Sequence, residues 1–134
     1  MNAKTEQSLA NLGRAVDRLG EALAEPVTGP LVIDGTIQRF EFTLELTWKT
    51  LKRQLEAEGI KAATPRETLK QACQAGWLDD EDAWLQMLRD RDGTSHIYDE
   101  AAARRIYDSI RAHYPVLRAA FETLRARAGR TGET

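Results

Sequence analysis

The sequence predicts an all-α fold: a bundle of four main helices with one additional short helix. Apolar residues recur at helical spacing along most of the chain, no segment alternates with the two-residue period of a strand, and proline and glycine cluster between the periodic runs. At 134 residues, 42% of them hydrophobic and 30% charged, the chain is long enough for one compact domain and short for two. The domain is expected to span residues 1–126, with 127–134 a disordered tail.

In the first segment Leu9, Leu12, Val16, Leu19 and Leu23 fall at spacings of 3, 4, 3 and 4, one stripe of a helix that reaches about Glu25. Pro26, Gly29 and Pro30 interrupt it. The next helix is expected to start between Leu31 and Gly35. Its seam is Ile37, Phe40, Leu44, Trp48, Leu51 and Leu55, with Phe42 and Leu46 adding apolar surface on a flank, as in a central helix or one at a subunit interface. Gly59 stands where a left-handed residue closes a helix.

"TPRETLKQACQAGWL" opens with Thr64, Pro65 and Glu67, a capping box with proline in the first helical position. Gly76 stops that short helix. Asp79 or Asp80 caps the next one, whose first turn is acidic and whose apolar face is Trp84, Leu85 and Leu88. Gly93 breaks the pattern. The last helix starts near Asp99, turns Ile106, Ile110, Leu117, Phe121 and Leu124 inward, carries Pro115 as an expected kink, and loses its apolar face after Leu124.

A net charge of −2 supplies no global basic field, which argues against non-specific wrapping of duplex DNA. Cys73 is the single cysteine, so neither an intrachain disulfide nor a CxxC metal site can form. No run approaches the roughly 20 apolar residues that span a bilayer. The expectation is a soluble, cytoplasmic protein with no membrane partner, no metal and no cofactor. Glycine cradles for nucleotides and HExxH zinc motifs are not present in the sequence. The acidic run at 79–82 reads as a helix start, and the arginines of the last helix (104, 105, 111, 118, 125 and 127) read first as a solvated face and second as an RNA path.

The stretch "RDRDGTSHIYDE", residues 89–100, fits that scheme least well. Gly93, Thr94, Ser95 and Asp99 suffice for a turn and a cap, which leaves Arg91, His96 and Tyr98 unexplained. On a continuous helix Arg91 and His96 would diverge by about 140°; a glycine break would let them converge. A guanidinium forks onto phosphate oxygens and an imidazole moves protons near neutral pH, so this pair suits phosphate chemistry. On RNA the 2′-hydroxyl is a built-in nucleophile, and no metal is needed. His113, beside the Ile110 and Leu117 seam, reads instead as a histidine with a local structural partner.

Four blocks carry a family resemblance: "IQRFEFTLELTWKTLKRQLEAEG", "TPRETLKQACQAGWLDD", "WLQMLRDRDGTSHIYDE" and "IYDSIRAHYPVLRAAFETL". Together they resemble the nucleotidyltransferase substrate-binding-protein-like family of the HEPN superfamily. The resemblance implies an up-and-down four-helix bundle, usually a homodimer, that works with a cognate minimal nucleotidyltransferase. It implies an R-x4-6-H pattern with a polar residue, which falls on Arg91, Asp92 and His96 and goes with metal-independent cleavage of single-stranded RNA. In the toxin–antitoxin branch the pattern extends to R-x4-H-x-Y, which makes Tyr98 the implied acceptor of AMP from the partner. The alternative within the resemblance is a non-catalytic substrate-binding subunit of a nucleotidyltransferase complex.

Overall fold

The computed structural model describes residues 3–132, and its helices are α1 (Ala3–Ala24), α2 (Pro30–Ala57), α3 (Pro65–Gln74), α4 (Glu81–Gly93) and α5 (Glu100–Gly132), with a 3-10 turn at Thr94–His96. No strand occurs among the described residues. The five leucine and valine positions of the first stripe are all buried in α1. α2 starts at Pro30, one residue ahead of the expected window, because proline's fixed φ suits the first helical position and its missing N–H costs nothing there.

The seam of α2 differs from its sequence pattern at one position. Trp48 is only half-buried, and its indole N–H donates to Glu45 Oε2 at 3.0 Å on the helix flank. Four threonines, Thr36, Thr43, Thr47 and Thr50, are buried instead. Three of them are tolerable inside because their hydroxyls bond back to the preceding turn: Thr36 to the Val32 carbonyl (2.7 Å), Thr43 to Arg39 (2.7 Å) and Thr47 to Thr43 (2.8 Å).

Gly59 and Gly76, both at φ +80°, close α2 and α3 by one geometry. Ile60 N–H donates to the Leu55 carbonyl and Gly59 N–H to Glu56, and Trp77 and Gly76 repeat the pair with Ala72 and Cys73. Thr64 caps α3 by accepting from Glu67 N–H at 3.1 Å, while the Glu67 carboxylate accepts from Ala63 N–H at 3.2 Å. Asp80, not Asp79, caps α4, taking the left-handed conformation at φ 60° and accepting from Ala83 N–H at 3.1 Å. Asp99 caps α5 through Ala102 N–H at 2.7 Å.

α5 runs through Pro115 without interruption in its helical assignment, and it does not fray after Leu124. Residues 127–132, expected as tail, continue the helix. Ala128 is buried, and Arg127 lies 4.2 Å over the Trp77 ring with Glu58 at 3.3 Å, so contacts from distant segments replace the missing apolar periodicity. Residues 133 and 134 of that expected tail lie outside the described residues.

α1 packs along α2, both pack on α5, α4 packs on α5, and α3 bridges α2 to α4. Trp84, Tyr107, Phe40 and the leucines 12, 19, 44, 51, 55 and 69 lie almost wholly inside. Each side chain of this size stabilises the fold by about 1.5–3 kcal/mol through burial. α1 meets α5 closely at Gly20: the Tyr114 hydroxyl, which donates to the Val16 carbonyl at 3.1 Å, occupies the space a Cβ would need. Among the described residues no helix is long and apolar enough to cross a membrane.

Candidate functional site

The end of α4 is anchored from within. Asp90 is buried at 8% exposure, its Oδ2 taking a short hydrogen bond from Ser109 Oγ of α5 (2.5 Å) and its Oδ1 one from Gln86 Nε2 (2.9 Å). A buried carboxylate is tolerable only with such donors. With Asp90 turned into the α4–α5 contact, the next residue is rotated by about 100° and points elsewhere. Arg91 reaches α2, where its Nη2 lies 3.4 Å from Glu45 Oε2.

Glu45 therefore gathers three partners: Arg91, the Trp48 indole and Lys49 Nζ at 3.2 Å. Burial, the largest single influence on this carboxyl, raises its pKa. The hydrogen bonds from Trp48 and Lys49 and the charge of Arg91 outweigh burial together and hold the group below its ordinary value. Arg91 also lines a groove along α1 and α2.

Gly93 does not break the chain as expected. Its φ is −71°, ordinary right-handed helix, and α4 tightens directly into the 3-10 turn. Within that turn Thr94 Oγ1 donates to the Arg91 carbonyl at 2.7 Å and Ser95 Oγ to the Asp92 carbonyl at 3.2 Å, so hydroxyls serve carbonyls of the last turn of α4. The turn thus owes nothing to a left-handed glycine. Arg91 pairs with α2, Asp92 is exposed, and His96 turns outward.

The structure does join His96 to Tyr98. Ile97 is extended (φ −88°, ψ 107°) with its side chain packed against the core, so residues 96 and 98 fall on one side of the chain. His96 Nδ1 and the Tyr98 hydroxyl lie 3.3 Å apart. Tyr98 is 84% exposed, which no packing argument requires of so large a side chain. This H-x-Y pair combines a proton-transfer group and a phenol nucleophile, both open to solvent.

His113 keeps its structural reading: its Nδ1 lies 2.8 Å from the Ser109 carbonyl, to which it donates, and it is half-buried. The arginines of α5 serve mainly as braces. Arg104 pairs with Asp108, Arg118 with Asp17, Arg125 with Glu122 and Arg127 with Glu58, and Arg111 donates to the Leu23 carbonyl and the Tyr107 hydroxyl. Cys73 is no nucleophile, because burial first and then Glu81, Asp79 and Asp80 push its thiol up to about 11. Among the described residues no three His, Cys, Asp or Glu side chains gather as a metal site.

Sequence reasoning missed Arg14, Arg18 and Arg39, which line the groove beside Arg91 together with the exposed Phe42. A signal was available: Arg14 and Arg18 are four residues apart, opposite the leucine stripe of α1.

Comparison with known proteins gives a consistent picture. A Haemophilus influenzae protein named as a probable ribonuclease HepT is 36% identical over 84 residues, 59% of this chain. The chain spans 58% of the length of that curated relative. A crystal structure from Thermus thermophilus superposes with a TM-score of 0.79 at 33% identity, covering 85% of this chain and 98% of the other. A second Haemophilus influenzae structure, described as revealing the fold of a substrate binding domain of a nucleotidyltransferase, gives 0.67 at 27% identity over 90% and 96% of the two chains. With residues 7–126 matching the family described as "Nucleotidyltransferase substrate binding protein like", the chain belongs to that family and carries its HEPN-like helical fold.

Proposed function

We propose that this chain is a HEPN-type toxin of a two-component toxin–antitoxin module: a homodimeric, metal-independent ribonuclease silenced when a cognate minimal nucleotidyltransferase transfers AMP to Tyr98. The observation that carries the reading is the exposed His96–Tyr98 pair at 3.3 Å, shortly after an arginine that lines an open groove. The relative named as a probable ribonuclease and the family's link to nucleotidyltransferases support it.

In this mechanism two protomers set their Arg91 and His96 side chains around a shared cleft. His96 takes the proton from a ribose 2′-hydroxyl, and the 2′-oxygen attacks the adjacent phosphorus. Arg91 neutralises the charge that builds on the phosphoryl oxygens. The P–O5′ bond breaks, the 5′-oxygen is protonated as it leaves, and a 2′,3′-cyclic phosphate remains. Asp92 is the polar residue of the motif, placed on the exposed side of α4's last turn.

Silencing follows from the same geometry. The Tyr98 oxygen attacks the α-phosphorus of ATP bound by the partner, and pyrophosphate leaves. The phenol loses its proton and gains an adenosine phosphate, which ends its hydrogen bond with His96 and sets a negative charge where RNA phosphate must approach.

His96→Ala should lower cleavage of a single-stranded RNA by about 10²-fold or more and abolish growth inhibition with unchanged thermal stability, because the side chain is exposed. Equal cleavage by wild type and variant would refute the nuclease. Incubation with the partner and ATP should add the mass of one AMP, and Tyr98→Phe should prevent it; addition that survives Tyr98→Phe refutes the switch. The second reading, a non-catalytic subunit that presents substrate to the nucleotidyltransferase, is favoured by the described role of the 27%-identical Haemophilus influenzae structure. It requires no His96-dependent nuclease and a changed substrate use by the partner enzyme.

A further inference from the structure

We infer that the groove between α1 and α2 is the track for a single RNA strand, with Phe42 as a base-stacking platform and Arg14, Arg18 and Arg39 as phosphate contacts leading to Arg91. The inference deepens the ribonuclease reading and rests on it for the chemistry at the groove's end, but strand binding can be measured independently of cleavage.

The groove has a volume of about 1070 Å³ and is walled by one stripe of each helix. On α1 the stripe is Asn11, Arg14 and Arg18, at spacings of 3 and 4; on α2 it includes Gln38, Arg39, Phe42, Glu45 and Leu46. These are helical faces turned away from the core, where a bundle needs nothing in particular. Arg91 completes the lining from α4, so the groove runs into the segment that carries the proposed chemistry.

Charge pairing separates this surface from four of the arginines on α5. On α5, Arg104, Arg118, Arg125 and Arg127 each face a carboxylate. In the groove, Arg14 donates to the amide oxygen of Asn11 and Arg39 donates to the Arg18 carbonyl at 2.7 Å. Both acceptors are neutral, so the positive charges are oriented and not compensated. Of the two acids in the lining, Glu45 is already balanced by Lys49 and Arg91, and only Glu41 opposes the field.

Phe42 stands among these cations at 62% exposure, a ring that the core leaves out. An aromatic face flanked by guanidinium groups in a groove matches the recognition of single-stranded nucleic acid, in which bases stack and the backbone follows the positive charges. Duplex RNA presents no free base face for Phe42. A second copy of this chain is the competing occupant, but it would bring the same positive groove against itself unless other acids intervened.

The test uses a fluorescently labelled single-stranded oligouridylate and binding anisotropy, in a His96→Ala background so that the probe stays intact. Phe42→Ala and the double variant Arg14→Ala with Arg18→Ala should each weaken binding by about fivefold or more, and the double variant should flatten the salt dependence by roughly 0.7 per lost phosphate contact. Arg105→Ala, on exposed α5 surface outside the groove, should leave binding unchanged. All the altered side chains are exposed, and melting curves check that the variants fold. Undiminished binding by the double variant overturns the track. So does a Phe42→Ala protein that changes oligomeric state by light scattering while binding RNA normally, because the groove is then a dimer interface. If wild-type protein cleaves RNA through His96 but groove variants bind normally, the track fails and the nuclease stands. If groove variants lose binding while His96→Ala changes no cleavage, the nuclease fails and the track stands.

Discussion

The junction after α3 and the junction after α4 both contain a glycine between two helices, and they are built on opposite plans. At Gly76 the backbone makes the stop: φ is +80°, two N–H groups close onto Ala72 and Cys73, and Trp77 and Leu78 follow into the core. At Gly93 the backbone stays helical, and the Thr94 and Ser95 hydroxyls donate to carbonyls of the last turn. Burial follows the same division. The first junction hides its large side chains, whereas the second exposes His96 and Tyr98 and keeps inside only Asp90 before them and Ile97 between them. Loop residues that the core does not need are free to take other roles, and here Asp90, buried ahead of the turn, and Ile97, packed against the core between the two exposed rings, tie the turn to the bundle.

The contrast can be broken in three places. Ser109→Ala should have the largest effect of the three, because it deprives the buried Asp90 carboxylate of a 2.5 Å donor; a loss of about 1.5–3 kcal/mol is expected in chemical denaturation. Gly76→Ala should cost about 1–2 kcal/mol, the penalty of forcing an L-residue into the left-handed region. Gly93→Ala should be the mildest and of opposite sign. The position is right-handed helix, and an added Cβ meets only Ile106 Cδ1 at 3.7 Å, so a gain of up to about 1 kcal/mol is expected. A destabilised Gly93→Ala would show that the second junction also depends on backbone freedom.

The two grades of arginine extend the same lesson. Arg118 and Arg127 on α5 face carboxylates and aromatic rings and brace the helices, whereas Arg14 on α1 and Arg39 on α2 line the groove and donate to neutral oxygens. The distinction depends on which acids lie across the helix boundary. Asp17 reaches Arg118 over 101 residues of sequence and Glu58 reaches Arg127 over 69, separations at which charge patterning along the chain carries no information.

Local chemistry settled much of this protein from its sequence alone. The leucine stripe of α1, the Thr64 and Asp99 caps and the glycine stops at 59 and 76 are short-range effects, governed by residues within one or two helical turns, and each appears where its signal stands. The H-x-Y pattern came from the family resemblance and not from spacing, and one extended residue, Ile97, puts positions 96 and 98 on one side. Tertiary structure decided the rest. It chose Asp80 over Asp79, set threonines rather than Trp48 in the seam of α2, extended α5 to Gly132 through Trp77 and Glu58, and kept Gly93 helical because α5 and the 94–95 hydroxyls supply what glycine was expected to supply. It also paired Arg91 with Glu45 of α2, beside the buried Asp90–Ser109 bond that joins α4 to α5, and no spacing within one segment encodes a contact between two helices.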